Sequence, residues 1–148
     1  MQSSPPENPR LQIAGLKVWV HGRQFPTSDD YWDGNWLRIS AEYRSASSRV
    51  KTEGPIIHLG ELVGLFESCE RLYETLAGEA ELDCMEPELN VKLKAGLSGQ
   101  IQLEVSITPD NLNEEHIFRQ DIDQTYLPQI IAECGSLLAE YPIKGTRT

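Results

Sequence analysis

The sequence predicts one two-layer α+β domain, a curved antiparallel sheet of five to six strands with two helices packed on one face. Three observations predict it. Two segments, about Leu59–Ala77 and Thr125–Tyr141, place apolar residues at helical spacing. Several short runs alternate apolar and polar residues with period 2, the pattern of an antiparallel sheet with one wet face. The 148 residues, 39% hydrophobic and 24% charged, are enough for one real core.

The first ten residues, rich in Pro and Ser, lack the apolar stretch of a signal peptide and suggest a disordered lead-in to a domain over 11–145. A first strand is expected over Leu11–Arg23. Leu11 and Ile13 share one parity and Leu16, Val18 and Val20 the other, with Gly15 at the switch as a bulge or bend. Trp36–Arg44 follows as a second, antiparallel strand. Ser45–Gly54 is polar and fits an edge strand or a loop, and Pro55–His58 leads into the first helix. That helix places Leu62, Leu65, Phe66, Cys69, Leu72, Tyr73 and Leu76 on one face and ends at Gly78. Glu67 can pair with Arg71 at i,i+4. Gly60 and Gly64, four apart, suggest close packing on a neighbour. Glu79–Met85, Leu89–Lys94, Ile101–Ile107 and a run around His116–Gln120 supply the remaining strands. Thr125 is the expected N-cap of the second helix, with Pro128 in its first turn and Pro142 beyond its end. Leu37, Ile39, Phe66, Leu72, Val91, Leu103, Val105, Ile131 and Leu138 are expected in one core. Cys69, Cys84 and Cys134 fall on apolar patterns, with neither C-x-x-C nor zinc-ligand spacing, and are expected to be reduced core thiols. No apolar run is long enough to span a membrane, so a cytoplasmic location is expected.

The stretch Asp29-Asp30-Tyr31-Trp32-Asp33-Gly34-Asn35-Trp36 is unlike an ordinary polar loop. It is not a calcium loop. With Gly34 at position 6 of an EF-hand, Tyr31 and Ser40 occupy positions that require acidic ligands. As a structural plug, Asp33-Gly34 would form a tight turn with Gly34 at positive φ. Asp33 would bind nearby backbone N–H groups, and Trp36 with Tyr31 or Trp32 would pack inward. As a site, the same loop would present Asp29, Asp30, Tyr31, Trp32, Asp33 and Trp36 to a ligand or partner.

His21-Gly22-Arg23-Gln24-Phe25-Pro26, followed by Asp30 to Leu37, resembles the signature of the WapI family of bacterial immunity proteins. Met85-Glu86-Pro87-Glu88-Leu89, Asp123 to Pro128 and Tyr141-Pro142 are similar to its further landmarks, so the resemblance spans about 11–145. It implies an inhibitor that binds a contact-delivered toxin domain and catalyses nothing itself.

Catalytic patterns are missing. The sequence holds no G-x-S-x-G, P-loop, H-E-x-x-H or dinucleotide fingerprint, and His21, His58 and His116 are far apart. No cofactor and no metal site is expected. Charge is more informative. Met1–Gly60 carries 7 Lys and Arg against 6 Asp and Glu, whereas 61–148 carries 6 against 17. Within Glu61–Glu88 there are 9 acids and one base, Arg71. Phosphate repulsion argues against nucleic acid as ligand, and a basic protein, such as a nuclease toxin, is the expected partner. The expected contact residues are Glu67, Glu70, Glu74, Glu79, Glu81, Asp83 and Glu86. Two other readings stay open: a small-ligand module with a cavity rimmed by Trp19, Tyr31, Trp32 and Trp36, and a small hydrolase using Asp29, Asp30 or Asp33 beside a histidine.

Overall fold

The computed structural model describes residues 8–147. Most of the expected lead-in, Met1–Glu7, lies outside the described residues. Arg10 is already part of the fold: its N–H donates to Val18 O at 2.7 Å and its guanidinium pairs with Glu140 at 2.8 Å.

The elements are β1 (Leu11–Ile13), β2 (Leu16–Arg23), a one-turn α1 (Tyr31–Gly34), β3 (Trp36–Arg44), β4 (Arg49–His58) and α2 (Leu59–Thr75). They continue with β5 (Glu79–Leu82), β6 (Leu89–Ala95), β7 (Gln100–Ile107), β8 (Ile117–Asp123), a 3-10 turn (Gln124–Tyr126) and α3 (Leu127–Glu140). The class is α+β as expected, but there are two four-stranded antiparallel sheets, β1-β2-β3-β4 and β5-β6-β7-β8, rather than one of five to six strands. Within each sheet, every strand pairs with its neighbours in sequence. The only long helical interruption between consecutive strands is α2, between β4 and β5, and there the sheet divides.

The switch of parity at Gly15 has a different cause from the one expected. Ala14 (φ 52°) and Gly15 reverse the chain, and Ile13 faces Leu16 and Leu11 faces Val18 across a hairpin. Residues directly opposite in an antiparallel pair share a face, so both parities reach the same core without a bulge. Gly15 is required by space, since a Cβ there would stand 2.6 Å from Arg44 O. The register of this sheet shifts elsewhere, at two places: between Val20 and Gly22 (φ 128°) where β2 meets β3, and between Leu37 and Arg38 where β3 meets β4. β4 extends through Pro55 to His58, where a leader into the helix was expected; an edge strand tolerates the proline because its missing N–H is not needed there.

The two long helices pack on each other, and each runs beside the free edge of one sheet, α2 along β5 and α3 along β1. Ser68 Oγ on α2 accepts from Glu81 N on β5 at 3.2 Å, and Glu133 Oε1 on α3 accepts from Gln12 N on β1 at 2.9 Å. Exposed edge amides are a template for unwanted pairing, and here helix side chains occupy them. Elsewhere the sheets meet directly. Tyr43 of β3 stacks on Phe118 of β8 (centroids 4.3 Å apart, planes 16° apart), and its hydroxyl donates to Gln120 Oε1 at 3.1 Å.

One core joins both sheets and both helices. Leu37, Ile39, Leu72, Val91, Leu103 and Val105 are buried in it, while Phe66, Ile131 and Leu138 are partly buried and pack against it. All three cysteines are buried and unpaired, and burial pushes the Cys69 thiol up to about 12. Leu76, in the left-handed conformation, ends α2 by donating its N–H to Leu72 O. Thr125 does not cap α3: Asp123 caps the 3-10 turn, and α3 follows from Tyr126 without a side-chain cap. Asp123 Oδ1 accepts from both the amide and the hydroxyl of Thr125, which hold its carboxyl below the usual carboxylate range.

Candidate functional site

The Asp29–Trp36 stretch is built as a clamp. Asp30, in extended conformation, accepts from Trp32 N and Asp33 N at 3.0 Å each and so caps the single turn α1. Asp33, expected in that role, is exposed, and Gly34 is helical rather than at positive φ. Gly34 is required by crowding: a Cβ would stand 2.7 Å from Ser28 O. The turn delivers Asn35, fully buried, to the C-terminal segment after α3. Its amide nitrogen donates to Tyr31 O (2.7 Å) and Lys144 O (2.9 Å), and its Oδ1 accepts from Lys144 N (2.9 Å) and Arg23 Nη1 (3.1 Å). Arg23 also donates to Gly34 O and Pro142 O, and Lys144 Nζ to Pro26 O and Ser28 O. Gly145 (φ 67°) crosses so close that a Cβ would stand 2.8 Å from Tyr31 N, and Arg147 lies over the Trp32 ring at 5.4 Å.

Beneath the clamp His58 begins α2. Its Nδ1 accepts from Gly60 N (3.0 Å), which leaves the ring proton on Nε2, facing Tyr31 O at 3.2 Å. Tyr31, Trp32 and Trp36 surround the imidazole at centroid distances of 5.1, 5.6 and 5.0 Å. Tyr31 and Trp36 are half-buried and Trp32 is 39% exposed. Gly60 admits the Tyr31 hydroxyl, as close packing required; Gly64 faces open space. Glu61 completes a capping box: Oε1 accepts from His58 N and Oε2 from Met85 N, both at 2.8 Å. Burial raises the Glu61 carboxyl above its usual range. Asn35, Arg23, His58 and Lys144 were not singled out from the sequence. Only His58-x-x-Glu61, a histidine variant of capping-box spacing, carried a local signal.

The acidic residues sit as helix and strand geometry dictate. Glu67, Glu70 and Glu74 are exposed along α2, and among the described residues none of them forms an ion pair; the i,i+4 bridge from Glu67 to Arg71 is not made. β5 does lie beside α2. Glu79 and Asp83 are exposed, Glu81 and Glu86 half-buried. Lys94 and Lys92 stand opposite Glu79 and Glu81 on β6, so the negative field is least compensated on α2.

A groove of about 530 Å³ lies elsewhere and is lined by Trp19, Ser40, Glu42, Arg49, Lys51, Thr52 and Pro109 among others. Glu42 there holds Arg49 at 2.9 Å and Arg44 at 3.5 Å. Trp19 lines this groove, whereas Tyr31, Trp32 and Trp36 pack on His58. Asp29, Asp30 and Asp33 do not line this groove, and both ring nitrogens of His58 are occupied by backbone groups. Among the described residues no three His, Cys, Asp or Glu side chains converge to hold a metal ion, and no helix is long and apolar enough to cross a membrane.

The immunity protein WapI-like family model matches residues 10–142, from the strap of Arg10 to Pro142. The chain belongs to this family. WapI-like proteins are immunity proteins, so membership carries a role in toxin immunity and a toxin protein as partner. No curated protein matches the chain. Among solved structures it is similar to the crystal structure of WHY3 from Arabidopsis thaliana, with 10% identity, a TM-score of 0.47 and coverage of 88% of this chain and 85% of that one. At that score the likeness bears on neither function nor partner.

Proposed function

We propose that this WapI-like protein neutralises a basic toxin domain by binding it, with contacts from Glu67, Glu70, Glu74, Glu79, Glu81, Asp83 and Glu86. The observation that carries the reading is the row Glu67, Glu70 and Glu74, exposed on α2 without a cationic partner. An uncompensated stripe attracts a cationic surface over a distance of about one Debye length, roughly 8–10 Å at moderate salt. It accelerates encounter and disfavours acidic partners. A nuclease domain, basic because it must hold a polyanion, has the required surface. The inhibitor acts by occupancy and has no reaction of its own. Its three buried thiols suit the reducing cytoplasm of the protected cell.

The test is association kinetics, at two ionic strengths, with a purified basic nuclease-toxin domain that the protein captures in a pull-down. Glu70→Lys with Glu74→Lys should slow association by about tenfold or more and weaken its salt dependence, with circular dichroism unchanged. An unaltered association rate would remove this face from the interface.

A further inference from the structure

Among the described residues ten large apolar side chains are exposed, and single ones need no explanation. Four of them belong to three segments that end together. Tyr73 (49% exposed) and Leu76 (40%) lie one turn apart at the end of α2, Leu97 (85%) is at the tip of the β6–β7 turn, and Tyr126 (40%) is in the turn before α3. Ala95 N donates to Gly78 O at 2.9 Å, which ties the end of α2 to the β6–β7 turn. Gln124 N donates to Gly99 O at 3.0 Å, which ties that turn to the segment of Tyr126.

Two of these segments hold residues that local folding does not favour. Leu76 has φ 52°, a conformation that glycine adopts freely and that crowds the Cβ of leucine. Leu97 fills the tip of Gly96-Leu97-Ser98-Gly99, where turn chemistry favours polar residues, and Ser98 beside it has φ 57°. Acids flank these segments along the chain: Glu70, Glu74 and Glu79 on either side of Tyr73 and Leu76, and Asp121 and Asp123 before Tyr126, against Arg71 and Lys94. An apolar, tyrosine-bearing centre inside a charged rim is the anatomy of a protein interface.

We infer that Tyr73, Leu76, Leu97 and Tyr126 form the apolar anchor of the toxin interface, seated against a protein domain with an apolar centre and a cationic rim. The inference rests on the proposed function: the stripe on α2 leads into this end and steers the partner to it. Steering and anchoring act on different rates. Charges govern association, whereas desolvated apolar contacts govern dissociation.

The experiment measures dissociation of the same toxin domain from the full chain and from Tyr73→Ala, Leu97→Ser and Leu76→Gly. Each should shorten the complex lifetime by about tenfold, on the scale of an interface hot spot, and leave association nearly unchanged. Leu76→Gly should also raise the melting temperature of the free protein by relieving the left-handed leucine, so its weaker binding is not a folding defect. Unchanged dissociation with slowed association in Glu70→Lys/Glu74→Lys overturns the anchor and leaves the acidic reading standing. Unchanged rates in both sets overturn both. Concentration-dependent sedimentation of the free wild-type protein, abolished by Leu97→Ser, would assign the patch to a second copy and overturn the anchor too.

Discussion

At the scale of single residues, the clamp depends on Asn35. Its side chain satisfies two carbonyls and two donors across 109 residues of sequence, in a fully buried position. Asn35→Ala would strand those groups, at roughly 1–3 kcal/mol for each one left unpaired and buried. The expected outcome is a large loss of stability in urea and faster proteolysis after Glu140. Replacing Asn35 by Asp should not rescue it, because a carboxylate would face Tyr31 O and Lys144 O. The neighbouring acids separate cleanly. Asp30→Ala removes a cap and should cost about 0.5–2 kcal/mol. Asp33→Ala removes an exposed side chain with no bond and should stay within about 0.5 kcal/mol. Parallel denaturant melts of the two variants decide this.

At the scale of the element, α2 is fixed at its start by His58 and Glu61. The Glu61 carboxyl accepts two amides yet has a raised pKa, so desolvation outweighs the hydrogen bonds. The folded state therefore holds this proton more tightly than the unfolded chain. The stability linked to it is full below the unfolded pKa and is lost as pH rises through the higher folded value. Glu61→Gln does not titrate. The stability difference, wild type minus variant, should accordingly fall as pH rises from just above the ordinary glutamate value of 4.5 toward neutrality. Urea unfolding of both proteins across that range measures it. A difference that grows with pH would mean the two amide bonds dominate instead.

At the scale of the whole molecule, two sheets share a core without sharing a hydrogen-bonded strand pair. Their direct junction is the Tyr43–Phe118 stack, with the Tyr43 hydroxyl on Gln120. Tyr43→Phe keeps the stack and removes the bond, and should cost roughly 0.5–1.5 kcal/mol. Phe118→Ala removes the stack and should cost more. If both changes are silent in thermal melts, the stack is incidental and the shared core with the helix pair holds the sheets together. The proposed toxin surface belongs to this scale as well, since it draws on α2, β5 and two turns remote in sequence.

Periodicity made most of the fold legible. β3 runs over Trp36–Arg44 as expected, α2 and α3 lie within the two predicted helices, and Leu103 and Val105 point inward because alternation leaves no other choice. Composition likewise made the acidic run visible, since Glu67, Glu70 and Glu74 needed only helical spacing to share an exposed row. What a local pattern cannot carry is a partner far along the chain. The same parity switch at Gly15 fits a bulge or a hairpin, and pairing between Ile13 and Leu16 decided for the hairpin. Eight amphipathic strands fit one sheet or two, and the length of α2 between β4 and β5 decided for two. The Asp29–Trp36 loop showed its oddity in the sequence, but its purpose depended on Lys144 and Gly145 arriving from the other end of the chain. Local sequence determined the elements, because helical and strand spacing are short-range geometry. Tertiary structure alone decided which buried amide meets which distant backbone, because burying an unpaired polar group is costly wherever its partner is encoded.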